Sequence, residues 1–476
     1  MLNIAAWYGI NKELTKYPIF VRMNTVQTIV ALSTPSGSGA LGVIRLSGPD
    51  AISIANSIFK GKDLTVQPSH TLHFGLIMDK DTILDEVVIG LFLAPKSYTK
   101  ENVVEISCHG SSYIIQRIIN LLIEQGARAA KPGEFTLQAF VNGAFDLSKA
   151  EAVADLIASN SKASHDIAMQ QMRGGFANEL QGLREQLIHF ASMIELELDF
   201  AEEDVEFANR EQLKNLVLRI NKVISRLITS FELGNVIKNG IPIVIAGKPN
   251  VGKSTLLNAL LNEERAIVSD IAGTTRDTIE DEINIEGVIF RFIDTAGIRE
   301  TADLIEAKGV ERTLAKMKQA KLIIYMADAL QDFDDIASQI TGLEKQDIPY
   351  LLLINKADLL NAEQKERLLI LSVPVHFIIA QSHLGVEELK DSLLETVNVK
   401  NLNTNETILT NIRHVEALRN TETALNRVLE NVDNPITSDF LAMDIKQALH
   451  YLGEIVGEVT TDDLLENIFS KFCIGK

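Results

Sequence analysis

IPIVIAGKPNVGKS, residues 241–254, is the stretch whose reading decides the fold around it. A β-branched apolar run ends in Gly247-Lys248-Pro249-Asn250-Val251-Gly252-Lys253-Ser254, which fits the phosphate-loop pattern G-x-x-x-x-G-K-[ST] at every fixed position. Gly247 and Gly252 let the backbone turn where a Cβ would clash, so that successive N–H groups point inward at a phosphate. Lys253 adds a point charge for the β- and γ-phosphates, and the Ser254 hydroxyl is placed to ligate Mg²⁺. TLLNALL, opening at Thr255, reads as a helix whose positive end faces the same anion, with Val251 and Thr255 completing the wrap.

Outward from the loop, apolar runs at 241–246, 289–293, 322–327, 350–354 and 375–379 alternate with helical or polar segments. That alternation predicts a mostly parallel sheet covered on both faces. Asp294-Thr295-Ala296-Gly297 follows the strand RFI, as a Mg²⁺-side carboxylate and a γ-phosphate-sensing glycine would. Asn355-Lys356-Ala357-Asp358 follows YLLLI, and a carboxylate at Asp358 accepts both N1–H and the N2 amine of guanine but meets an acceptor on adenine. Gly273-Thr274-Thr275-Arg276-Asp277 lies between the two, with Thr275 completing the Mg²⁺ shell. The ordered series specifies GTP.

Ile298 stands where a Ras-like enzyme has a water-orienting glutamine, and an isoleucine cannot fix a water by hydrogen bonds. Arg276, Arg299, Glu300 and Glu306 are the candidates for the missing role, and spacing alone does not choose among them. A donated transition-state arginine is worth about 10³–10⁵ in rate, so some replacement is required.

The flanks are of a different kind. Residues 24–142 read as strand, Gly/Ser/Pro turn and strand, then a short helix from Pro49-Asp50, further strands, and a helix over 112–125 closed by Gly126. Residues 147–238 and the two segments 410–431 and 438–456 carry three-and-four apolar spacing, broken at Gly174-Gly175 and at the acidic turn 201–206. The expected division is an extension outside the fold at 1–22, an α+β domain at 23–142, a discontinuous helical-bundle domain at 143–237 and 402–476, and an α/β insert at 238–401. VNVKNLNTNET, residues 397–407, is the expected hinge.

With 46% hydrophobic residues the chain is globular, and its net charge of −19 argues against broad adhesion to nucleic acid or anionic membrane. Any RNA contact has to be a local patch or a partner's. Cys108 and Cys473 are the only cysteines, so a disulfide scaffold or zinc ribbon is excluded and a reducing cytoplasm is the expected setting. No apolar run reaches the roughly 18 residues of a membrane span, and 1–22 lacks a secretory pattern.

TPSGSGALGVIRLSGPDA (34–51), VVEISCHG (103–110), PGEFTLQAFVNGAFDLSKAEAVADLI (132–157), SDIAGTTRD (269–277), DTAGIRE and the terminal FCIGK together resemble the MnmE (TrmE) family of tRNA-modification GTPases from about Met23 to Lys476. The resemblance implies a homodimer formed through a folate-binding N-terminal domain. It also implies that Ser269, Asp270, Ile271, Ala272, Gly273 and Thr274 line the nucleotide beside Asp294–Gly297. In the family K⁺ takes the place of the arginine, which assigns its ligands here to Asn250, Ser269, Ile271 through its carbonyl, and Thr274. The water-orienting glutamate falls on Glu306, preferred over Arg276 and the other charges. Resemblance further implies work with the flavoprotein MnmG (GidA) in a heterotetramer, installing an aminomethyl or carboxymethylaminomethyl group on C5 of a tRNA wobble uridine with a one-carbon unit from 5-formyl- or methylene-tetrahydrofolate.

The resemblance places folate contacts on Arg45, Glu105 and Lys476, and Cys473 near the modification site. This chain departs from the family at Ala144, where a lysine is usual, at Gln138, where an arginine is usual, and at Ile379-Ala380-Gln381, where the guanine-backing loop has serine first. The Ala380 N–H can still meet guanine O6. Two other classes share these motifs: an RNA-binding ribosome-assembly switch, which would carry a basic appendage such as a KH module, and a folate-binding scaffold with a vestigial GTPase.

Overall fold

The computed structural model describes residues 27–199, 209–264, 281–293, 320–345, 348–371, 373–396, 407–432, 438–470 and 472–475. They form two compact units, one from residues up to Ala154, Gln171–Asn221 and Ala417 onward, the other from Asp155–Gln170 and Lys222–Glu416.

In the first unit β1 (Ile29–Leu32), β2 (Leu41–Ser47), β3 (Phe59–Lys60), β4 (Thr71–Asp79), β5 (Thr82–Phe92), β6 (Val103–His109) and β7 (Arg128–Ala129) make a sheet of order β3-β4-β5-β6-β2-β1-β7. Every pairing is antiparallel except β1 with β7. Period-two patterning sends Val87, Ile89 and Leu91 of β5 and Val104 and Ile106 of β6 into a core shared with α1 (Ala51–Ile58) and α2 (Ser112–Glu124). Arg45 and Glu105, directly paired in register, therefore share the opposite face. α3 (Glu134–Val141) starts at Gly133, whose φ of 66° is left-handed. Phe140 of α3 packs with Phe469 of α14 (Asp462–Phe469) and with Phe472.

The helical segments are α4 (Leu147–Ala158), α5 (Lys162–Met172), α6 (Gly175–Asp199), α7 (Arg210–Asn239), α12 (Ile412–Asn431) and α13 (Ser438–Val456). The patterned run 150–172 is two helices, not one. Ser161 accepts from the Ser164 N–H at 3.1 Å while Ser159 bonds back to Leu156, so serine capping chemistry ends one helix and starts the next.

In the second unit β8 (Ile241–Ala246), β9 (Asp281–Ile285), β10 (Val288–Phe292), β11 (Leu322–Asp328), β12 (Tyr350–Asn355) and β13 (Val375–Ile378) form a sheet of order β13-β12-β11-β8-β10-β9. It is parallel apart from the β9–β10 hairpin, a strand pair the apolar runs showed only by half because Asp281 and Glu282 interrupt β9. α8 (Lys253–Glu264) and α11 (Val386–Thr396) cover one face through Leu256, Leu260, Leu389 and Leu393. α9 (Phe333–Glu344) and α10 (Ala362–Leu369) cover the other through Ile336, Ile340 and Leu368. The expected doubly covered α/β sheet is present, and its strand ends at Ala246, Asp328 and Asn355 point to one rim, where ligands of such sheets bind.

Candidate functional site

The rim is built on the loop between β8 and α8. Gly247 (φ 146°) and Gly252 (φ 104°) have no room for a side chain: a Cβ at the first would run into the Met326 carbonyl and at the second into the Asn355 amide. Asn250 is exposed and left-handed at φ 63°. The Lys253 ammonium donates to the carbonyls of Gly247 (2.7 Å) and Lys248 (2.8 Å), and burial lowers its pKa below the usual lysine range. It thus sits at the mouth of the loop, where a phosphate oxygen offers the same ammonium a charged acceptor. Ser254 and Thr255 open α8 directly behind it.

Asn355 joins this loop to the base side of the rim. Its Nδ2 donates to the Val251 carbonyl at 2.8 Å, its Oδ1 accepts the Ala380 N–H at 3.0 Å, and the residue is 4% exposed. The Ala380 N–H expected to meet guanine O6 is thus held by Asn355 in this structure. Lys356 is left-handed (φ 59°) and its Nζ pairs with Asp328 at 2.5 Å, the residue registered beside Asn355 on β11. Asp358 lies exposed on the turn Ala357–Leu359. Lys248 is tied to Asp335 of α9 at 2.5 Å, which links the loop to a helix no motif had singled out. Strand-terminal Asp328 and Asp335 in DFDD carry no pattern of their own; only the fold brings them to the loop.

Ser269, Asp270, Ile271, Ala272, Gly273, Thr274, Thr275, Arg276, Asp294, Thr295, Ala296, Gly297, Glu306 and Lys476 lie outside the described residues.

A second cluster occupies the first unit. Arg45 donates to Glu105 from Nε (3.0 Å) and Nη2 (2.8 Å) and reaches the Gly475 carbonyl at 3.5 Å. Its guanidinium lies 5.5 Å from the Tyr98 ring centre and 5.8 Å from that of Phe135, and burial raises the Tyr98 phenol pKa. The chain end is seated here: Ser33 Oγ donates to the Gly475 carbonyl at 3.3 Å and the Gly133 N–H to the Cys473 carbonyl at 3.3 Å. Arg45, Glu105 and Gly475, far apart in sequence, are brought together. The aromatic pair around Arg45 was not foreseen. Ala144 ends the turn after α3, bonded to the Ala139 carbonyl at 2.8 Å, and the buried Gln138 Oε1 has no partner among the described residues.

The two cysteines differ. Cys473 is exposed, whereas Cys108 is buried, donates to the Gly42 carbonyl at 3.4 Å, and has its thiol pushed up to about 11 by burial and by nearby Asp85. Burial and a raised thiol pKa keep Cys108 almost wholly protonated near neutral pH, so a thiolate-selective reagent at pH 8 is expected to label one cysteine in the native protein and two after unfolding. Native labelling of both would contradict the seating of Cys108.

A phosphate loop between a buried parallel strand and a helix, coupled through Asn355 to an N-K-x-D turn, defines the class of P-loop GTPases. The family described as MnmE helical domain matches residues 147–473, and that described as GTP-binding protein TrmE N-terminus matches 28–144. The chain is 57% identical over 458 residues to the tRNA modification GTPase MnmE of Cytophaga hutchinsonii, covering 95% of this chain and 98% of that one. It is 55% identical to the corresponding protein of Christiangramia forsetii (95% and 100% covered) and 52% identical to that of Bacteroides thetaiotaomicron (94% and 99%). This chain belongs to the MnmE (TrmE) family of tRNA modification GTPases.

Proposed function

We propose that this chain is a K⁺-stimulated GTP hydrolase acting on tRNA, which with the flavoprotein MnmG installs an aminomethyl-type group at C5 of a wobble uridine using a tetrahydrofolate one-carbon unit. The observation that carries the reading is the junction at Asn355, which holds phosphate loop and guanine-side turn in one hydrogen-bonded frame, within a chain matched to the family over both flanks. That match also weighs against a ribosome-assembly switch. Among the described residues no helix is long and apolar enough to cross a membrane.

In this reading Lys253 and the loop N–H groups hold the phosphates, and Ser254 with Thr275 holds Mg²⁺. Asn250, Ser269, Ile271 and Thr274 hold K⁺, and Glu306 orients the water. The bound cations supply positive charge where it develops on the transferring phosphoryl group. The left-handed, exposed Asn250 fits such a role, since its side chain is not spent on the core. On the folate side, Arg45 and Glu105 are a paired guanidinium and carboxylate beside two aromatic rings, and a planar, hydrogen-bonding ring would exchange contacts with that pair.

The test is GTP turnover in KCl against NaCl at equal ionic strength. Stimulation by K⁺ of at least about tenfold is expected, a modest part of what an arginine supplies elsewhere. Equal slow turnover in both salts would overturn the K⁺ assignment, and unchanged turnover in Glu306→Ala would overturn that of the glutamate.

A further inference from the structure

Lys356 is held at both ends. Its backbone is left-handed at φ 59°, a conformation that costs a lysine energy and persists only where neighbours impose it. Before it, Asn355 is fixed between the Val251 carbonyl and the Ala380 N–H; after it, the Leu359 N–H donates to the Lys356 carbonyl at 2.9 Å. At the far end of the side chain the ammonium donates to Asp328 Oδ2 at 2.5 Å. The methylene stem is therefore stretched between two fixed points, although 44% of the side chain faces solvent.

Asp328 is placed by the sheet. It ends β11 in register with Asn355, and the Ala329 N–H that follows it donates to the Asn355 carbonyl at 2.9 Å. Its Oδ1 accepts the Leu330 N–H at 3.0 Å, which leaves Oδ2 for Lys356. Burial works against the charge on this carboxyl, but the Leu330 N–H and the Lys356 ammonium outweigh it and hold the pKa below the usual carboxylate range. A pair with a half-exposed lysine adds little to the stability of a fold. Its effect is to be sought in what the stem faces.

The residues around Lys356 are assigned to the edge of guanine, Asp358 to N1–H and the N2 amine, and Ala380 to O6. Edge contacts leave the flat face of the ring uncovered, and Lys356 lies between them in the chain. A lysine stem is apolar and keeps its charge at the tip, which suits it to lie along a π face. A free stem loses rotamer freedom when a base arrives; one already tied to Asp328 has lost it on folding.

We propose that Asp328 is a positioning residue for guanine, holding the Lys356 stem through their ion pair as a preformed wall for the face of the base. The proposal rests on the guanine-side reading of residues 355–358 and adds to it a residue of the neighbouring strand that no nucleotide motif contains. Asp328 acts only through the lysine.

The measurement is the equilibrium affinity of the full-length protein for GTP and for inosine triphosphate, which lacks the N2 amine, by competition against a fluorescent guanine nucleotide. Asp328→Asn keeps an acceptor for the Leu330 N–H and is expected to weaken both nucleotides by roughly 3- to 10-fold, the cost of ordering one long side chain on binding. Equal loss marks support of the face. A displaced Asp358 would instead penalise GTP more than inosine triphosphate, because only guanine offers that carboxylate a second donor. Lys356→Met keeps a comparable stem without the charge and should show a similar loss, and the double variant no further loss. The proposal is overturned if Asp328→Asn binds both nucleotides as wild type does, if GTP alone suffers, or if the loss persists undiminished in the Lys356→Met background. In each case a wild type that prefers GTP to inosine triphosphate leaves the guanine-side reading standing; a wild type without that preference removes both.

Discussion

Asp358→Asn is expected to lower affinity for GTP by roughly 10²- to 10⁴-fold and to create affinity for xanthosine triphosphate. The carboxylate is assigned two hydrogen bonds from guanine, to N1–H and the N2 amine, each charge-assisted and worth about 1.5–3 kcal/mol. Losing one bond outright, reducing the other to a neutral bond and setting two donors against each other together cost about 3–6 kcal/mol, which sets the range above. An asparagine keeps one acceptor for N1–H but turns its amine against that of guanine, while xanthine presents a carbonyl at the same position. Asp358 is exposed on a tight turn, so the exchange carries little folding cost. Fluorescent-nucleotide titration of both bases decides the matter; an unchanged preference for GTP would remove Asp358 from the base site.

Asn355→Ala is the second large effect, and here stability and binding fall together. The side chain satisfies the Val251 carbonyl and the Ala380 N–H inside a site 4% exposed. Truncation strands both, at about 1–3 kcal/mol each, so an unfolding free energy lower by about 2–6 kcal/mol is expected from denaturant titration. The phosphate loop and the 379–385 turn lose their common anchor, and nucleotide affinity should fall by at least about 100-fold. Asn355→Asp separates the two bonds: it keeps an acceptor for Ala380 but faces the Val251 carbonyl with another acceptor. A variant as stable and as tightly binding as wild type would show that the bridge is incidental.

Much of this was legible in the residues because the chemistry is local. The loop at 247–254, the helix behind it and the five parallel strands follow from turn glycines and apolar periodicity, and all are present. What stayed hidden depends on residues distant in sequence. Nothing in LIIYMAD or DFDD announces that Asp328 takes Lys356 and Asp335 takes Lys248. Likewise Arg45 and Glu105 were assigned by resemblance, but the Tyr98 and Phe135 rings beside them come from separate loops and helices. The Ser159–Ser161 break was misread because apolar spacing continues across it, while capping hydroxyls, which periodicity ignores, end the helix.

The seating of Gly475 has a practical consequence for handling the protein. At φ 94° this glycine lies so close to β1 that a side chain would collide with the Leu32 carbonyl, and its own carbonyl is shared by Arg45 and Ser33. An affinity handle or fluorescent fusion attached at the carboxyl end would start one residue beyond that carbonyl and tether its bulk beside Arg45 and Glu105.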